Sequence, residues 1–113
     1  MARGFLTPKE AAVLREFKEM LHEKLPKDVV TVTLFGSKAR GKTTRKSDID
    51  ILVVTHKSDD YETMRKVEEV ATEILLQKGV YISIKVLTQR RLAKWRSQHS
   101  PLIENIDAQG IPL

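Results

Sequence analysis

The run Leu34 to Val54, LFGSKARGKTTRKSDIDILVV, sets the tightest limit on what this chain can fold into. Both of its flanks read as strands. Val29 to Phe35 alternates Val30, Val32 and Leu34 against Thr31 and Thr33, and Ile49 to Val54 is near-continuously apolar, as a central strand is. Between them, Gly36 to Ser47 is polar and punctuated by glycine, with room for a short helix at most. The chain is also short for a doubly wound parallel sheet.

Helical patterns fill the rest. Thr7-Pro8-Lys9-Glu10 reads as an N-cap, a proline at the first helical position and the glutamate of a capping box. Val13, Phe17, Met20, Leu21 and Leu25 then give one apolar face, and Leu25-Pro26 ends the helix. Met64, Val67, Val70, Ala71, Ile74 and Leu75 mark a second amphipathic helix closed by Gly79. Val80 to Leu87 alternates as a third strand. Gln89 to Ser97 reads as a short basic helix around Leu92 and Trp95, and a last helix runs from Ser100-Pro101 to Gly110. The expected order is αβ(α)βαβαα. It describes one α+β domain over residues 1–113, with a small mixed sheet of three to four strands covered by helices.

Composition narrows the chemistry. The 113 residues carry no cysteine, which removes disulfides, zinc-thiolate sites and cysteine nucleophiles and fits a reducing cytosol. No targeting segment or span-length apolar run is visible, so a soluble, cytoplasmic protein without membrane attachment is expected. A net charge of +5 favours polyanionic partners, nucleic acid and nucleotides among them, although lysine-rich helix faces also produce such an excess for solubility alone. Only 5% of residues are aromatic, which argues against the stacking platforms of single-strand binders.

Two phosphate-handling patterns overlap after the first strand. GSKARGKT, Gly36 to Thr43, satisfies G-x-x-x-x-G-K-[ST], the P-loop pattern. A P-loop needs a helix opening at its Lys-Thr, and only Thr44 to Ser47 precede the next strand, so that match is a decoy. The second pattern pairs Gly36-Ser37 with Asp48 and Asp50. Two residues apart on a strand, the carboxylates project from one face, roughly 6–7 Å apart along the backbone. From there they can converge on divalent ions spaced about 3.5–4 Å. Ile49 points the other way, into the core. Hard oxygen donors suit Mg²⁺, which keeps water and substrate phosphate in its remaining positions. Gly36 permits a tight turn and close approach of phosphate oxygens, and Ser37 adds an amide and a hydroxyl. Arg40 can neutralise a triphosphate, with Lys38, Lys42 and Arg45 as further candidates. A lone Asp-x-Asp is more often a solvated or capping pair, and a lone Gly-Ser is usually a turn. Their conjunction is what points to a nucleotide site.

That conjunction, with Arg40-Gly41 after the Gly-Ser pair and Ser47 before Asp48, resembles the GSx10DxD signature of minimal nucleotidyltransferases in the DNA polymerase β superfamily. The match is specific over Leu34 to Val54, and the helix–strand order extends it more loosely from residue 7 onward. The resemblance implies transfer of a nucleoside monophosphate from a nucleoside triphosphate, ATP in the first instance, to a protein or nucleic-acid acceptor. It implies two Mg²⁺ ions held by Asp48 and Asp50, with Gly36 and Ser37 on the β- and γ-phosphates. It also implies a partner subunit, since small members are often paired with an all-helical protein of the HEPN type in toxin–antitoxin systems. Nucleic acid is an allowed partner rather than a required one, and homodimerisation is open to so small a domain.

The third strand departs from that family's pattern. Active members place a third acid there, and VYISIKVL has none; Ser83 and Lys85 take the face where it is expected. A lysine close to two aspartates would weaken metal binding. Asp59, Asp60, Glu62, Glu104 and Asp107 have no spacing that brings them to the site. Three outcomes stay open: slow transfer by two carboxylates and phosphate ligands, a site completed by a partner chain or the acceptor, or nucleotide binding without turnover. The alternative function is therefore a degenerate, antitoxin-like module that binds nucleotide and partner. A basic nucleic-acid-binding domain ranks last, because it leaves the GSx10DxD pattern without a purpose. His22, His56 and His99 lack metal-ligand spacing; His56 past the second strand is read as a loop residue, with a phosphate or base contact as the minor alternative. The basic helix either docks Trp95 into the core or offers a partner or RNA surface.

Overall fold

A computed structural model describes residues 6–40, 48–56 and 61–113, with Ser37 and Arg40 in backbone only. Helix α1 (Pro8–Lys24) starts as its sequence dictates. The Thr7 hydroxyl accepts from the Glu10 amide at 3.1 Å, and the Thr7 amide donates to Glu10 Oε1 at 2.9 Å. Strand β1 (Val29–Phe35) follows, then the single turn α2 (Ser37–Arg40) and strand β2 (Ile49–Thr55). Helix α3 (Tyr61–Lys78), strand β3 (Ile82–Thr88), helices α4 (Gln89–Ser97) and α5 (Pro101–Gln109) and the short β4 (Ile111–Pro112) complete the order.

The strands form one mixed sheet in the order β3-β2-β1-β4. β1 and β2 are antiparallel, with Phe35 opposite Asp50 and Leu34 opposite Ile51. A P-loop strand leads instead into a crossover to a parallel neighbour, so this pairing confirms that GSKARGKT is not one. β2 and β3 are parallel, as the long α3 crossover between them allows, and Asp50 lies beside Ser83 and Leu52 beside Lys85.

The period-2 pattern separates two apolar layers. Val32, Leu34, Ile49, Ile51, Val53 and Ile82 pack with Val13, Leu14, Phe17 and Leu21 of α1 and Val67, Val70 and Ile74 of α3. On the opposite face, Leu52, Val54 and Leu87 pack with Ile103 and Ile106 of α5, against Leu92 and Trp95 of α4. Trp95 docking is thus the observed role of the basic helix's apolar stripe.

Three details differ from expectation. Met64 and Leu75 of α3 are 38% and 39% exposed, while Thr63 is buried. The third strand starts at Ile82 rather than Val80. β4 has no counterpart in the expected order; it pairs antiparallel to β1, and the Leu113 amide donates to the Val32 carbonyl at 2.9 Å.

Candidate nucleotide site

The site is built at the junction of β1 and β2. The backbone leaves β1 at Gly36 with φ +79°, a left-handed conformation that favours glycine. The absence of a side chain there has a second use. A Cβ on Gly36 would overlap Asp50 Oδ2 and stand 3.2 Å from Asp50 Cγ. The carboxylate of β2 therefore occupies the space that the glycine leaves open, and the Gly-Ser turn and the aspartate are brought into contact.

Ile49 is buried in the α1/α3 layer, Asp50 is half-buried on the other face, and Asp48 is exposed immediately before β2. This alternation is the one expected of two carboxylates on a common face. α4 and α5 cover the Leu52, Val54 and Leu87 end of that face, while Asp50, Ser83 and Lys85 stay half-buried. Phe35 and Ser83 flank Asp50 across the two ladders.

The donor set fits a hard divalent cation such as Mg²⁺ and lacks the soft or imidazole ligands that zinc prefers. Among the described residues no group of three or more His, Cys, Asp or Glu could hold a metal ion. A cation at Asp48 and Asp50 thus needs further oxygens from outside the described protein groups, and nucleotide phosphates are the matching donors.

β3 carries no acid, and Lys85 lies on the site's face but not beside the aspartate. Its ammonium stands over the Trp95 ring, 5.5 Å from the centroid, so the cation is held by α4. Glu62, Glu104 and Asp107 are engaged. Glu62 pairs with Arg65, His99 Nδ1 lies 3.2 Å from Glu104 Oε2, and Arg96 grips Asp107 through two hydrogen bonds of 2.9 and 2.8 Å. The Arg96 hydrogen bonds hold the Asp107 carboxyl below its ordinary range despite partial desolvation.

Lys38 is committed elsewhere than sequence suggests. Its side chain is 5% exposed, and its ammonium lies 2.9 Å from Glu10 Oε2 and 3.2 Å from Oε1, so it does not neutralise a triphosphate. No periodic signal announces this pair; Glu10 is visible in sequence only as a capping residue. Burial acts to raise the Glu10 pKa, but the Thr7 amide and Lys38 together bring it below the ordinary value. His56 stands at the far end of β2, beside Gln89 at 3.2 Å, which fits the loop reading. From Asp50 it is roughly 20 Å along the strand. A cleft of about 210 Å³ lined by Thr55, Tyr61, Met64 and Arg91 lies at that same distal end. The Ser37 and Arg40 side chains, and Lys42, Arg45, Asp59 and Asp60, lie outside the described residues.

A family model described as a nucleotidyltransferase domain matches residues 14–106. Two relatives come from Methanocaldococcus jannaschii, both named as candidate protein adenylyltransferases. One is 36% identical over 85 residues, covering 75% of this chain and 80% of the relative. The other is 40% identical over 63 residues, covering 56% of this chain; the match spans only 62% of that relative's own length. Among solved structures, a candidate nucleotidyltransferase from Sulfolobus solfataricus is similar with a TM-score of 0.59 at 22% identity, over 89% of this chain and 76% of that one. A toxin–antitoxin structure with AMP-PNP gives 0.57 at 24% identity, over 87% and 69%. A tri-AMPylated Shewanella oneidensis HEPN toxin in complex with its MNT antitoxin gives 0.54 at 20% identity, over 90% and 69%. These structural likenesses establish the fold. The sequence match across most of the chain establishes the lineage: this protein belongs to the nucleotidyltransferase domain family.

Proposed function

We propose that the chain transfers AMP from ATP to a hydroxyl of a partner protein, with Mg²⁺ bound between the nucleotide phosphates and Asp48 and Asp50. The observation that carries this reading is the fit of the Asp50 carboxylate into the space left by Gly36, which sets a cation ligand against a phosphate-accommodating turn. The names of the archaeal relatives and the AMPylated toxin in the Shewanella complex favour a protein acceptor and an adenylyl group. By the same analogy the acceptor belongs to a helical HEPN-type subunit.

Bound Mg²⁺, two ions in this reading, would neutralise the triphosphate oxygens and make the reacting phosphorus more electrophilic. Asp48 and Asp50 would hold it. Gly36 and Ser37 admit the β- and γ-phosphates, and Arg40 adds positive charge. The acceptor oxygen bonds to the α-phosphorus as the bond to the pyrophosphate oxygen breaks. With no carboxylate on β3, the acceptor proton leaves to water. The test is transfer of label from [α-³²P]ATP to a co-purified partner. Label must appear on the partner with the wild type and be lost with Asp48→Asn or Asp50→Asn; equal labelling by the variants rejects the proposal.

A second reading has a specific observation behind it. Ser83, not an acid, stands beside Asp50, and Lys85 is drawn onto Trp95. A chain that binds nucleotide and partner without turnover has no need of a third carboxylate. It predicts nucleotide binding that depends on Asp50, with no transferred label under any condition.

A further inference from the structure

The Lys38–Glu10 pair joins the two ends of the N-terminal half of the fold. Lys38 lies in α2, the turn between Ser37 and Arg40, and Glu10 lies in the first turn of α1. Lys38 is almost fully enclosed, with its ammonium against both Glu10 carboxylate oxygens, and Glu10 at the same time accepts from the Thr7 amide. An ammonium drawn into an enclosed setting is costly unless paired, so removing either partner penalises the conformation that buries the other. Within α2 the Ala39 amide also reaches the Gly36 carbonyl at 3.1 Å, and Ala39 packs against the core.

We infer that Glu10 and Lys38 are positioning residues for the nucleotide site: the ion pair clamps α2 to the capped start of α1 and so fixes Ser37 and Arg40 relative to Asp50. This rests on the nucleotide reading above. Neither side chain touches substrate. The backbone amide of residue 7, which any side chain there retains, orients the Glu10 carboxylate, the glutamate fixes Lys38, and Lys38 fixes the turn. The pair couples positions 28 residues apart, which a local turn motif could not do.

Glu10→Gln isolates the ion pair, because glutamine still accepts from the Thr7 amide and preserves the capping box. Lys38→Met removes the other partner with little change in bulk, and Thr7→Ala weakens the cap without touching Lys38. Two quantities are read: amide hydrogen exchange, segment by segment, and the ATP dissociation constant with Mg²⁺ by calorimetry. Glu10→Gln and Lys38→Met are each expected to speed exchange over residues 36–40 relative to β1 and to weaken ATP by about tenfold, a modest displacement of binding groups. The double variant should be no weaker than the worse single one. Thr7→Ala should lower the melting temperature and leave ATP affinity unchanged. Wild-type exchange at 36–40 in Glu10→Gln, or faster exchange with wild-type ATP affinity, overturns the inference. If the wild type binds no ATP, the nucleotide reading falls, and exchange at 36–40 alone decides whether the clamp exists.

Discussion

The Asp50 carboxylate sits where a side chain on Gly36 would have to be. One residue comes from the end of β1 and the other from the start of β2, and the antiparallel register brings them together through Phe35 opposite Asp50. Glycine is required at position 36 for its positive φ and again for this contact.

Gly36→Ala tests both demands. Alanine at this φ costs about 1–3 kcal/mol of backbone strain. The new methyl group also displaces the Asp50 carboxylate, since the atom it meets is the end of a side chain rather than backbone. ATP affinity or transfer should fall on the order of 100-fold, because a displacement near 1 Å is enough at a positioned site. Calorimetry together with a thermal melt separates the two effects; a lowered melting temperature with intact ATP binding would show that Asp50 has not moved.

Phe17 is fully enclosed among α1, α3 and the sheet. Phe17→Ala should cost about 3–5 kcal/mol in chemical denaturation, the range for deleting a buried aromatic side chain. A loss under 1 kcal/mol would mean that α1 does not pack as described.

Much of this architecture is legible in the sequence because local chemistry and packing agree. α1 begins at its Thr7-Pro8-Glu10 signal, β1 at Val29, and α4 at Gln89, each where periodicity or a cap places it. Only Thr44 to Ser47 lie between the Lys-Thr and the aspartate-bearing strand, too few for the helix that a P-loop needs. The Asp48/Asp50 pairing is equally visible, since period 2 sets it. Long-range contacts are not. Lys38 reads as one more cation in a basic loop, and only the fold reveals Glu10 beside it. Lys85 falls on the expected face, yet its attachment to Trp95 depends on how α4 crosses the sheet. β4 is two residues long and extends β1 only because α5 returns the chain there.

The Glu10–Lys38 pair also has a pH signature. With the folded-state pKa of Glu10 depressed by the Thr7 amide and Lys38 against the opposing effect of burial, its contribution is fully present above the ordinary carboxylate value of 4.5 and is lost as the pH falls through the lower, folded value. The melting temperatures of wild type and Glu10→Gln should therefore differ at pH 6–7 and converge in strong acid, with that window read from the direction of the shift. A gap that persists unchanged into strong acid would contradict the pairing.

Ser83 offers a gain-of-function test. It is the β3 neighbour of Asp50, separated by the roughly 4.8 Å of adjacent strands. Ser83→Asp should tighten Mn²⁺ or Mg²⁺ binding by about tenfold through a third hard ligand, and lower stability in metal-free buffer through repulsion with Asp50. Calorimetric metal titration and a melt in EDTA read both. Unchanged metal affinity would place Ser83 away from the cation site.

The most direct test of the nucleotide site is titration of ATP into the wild type and Asp50→Asn, each with Mg²⁺ and with EDTA. The account predicts wild-type binding that requires Mg²⁺ and is lost in the isosteric variant. Wild-type binding that is indifferent to EDTA and to the loss of the Asp50 charge, or no binding at millimolar ATP, would contradict it.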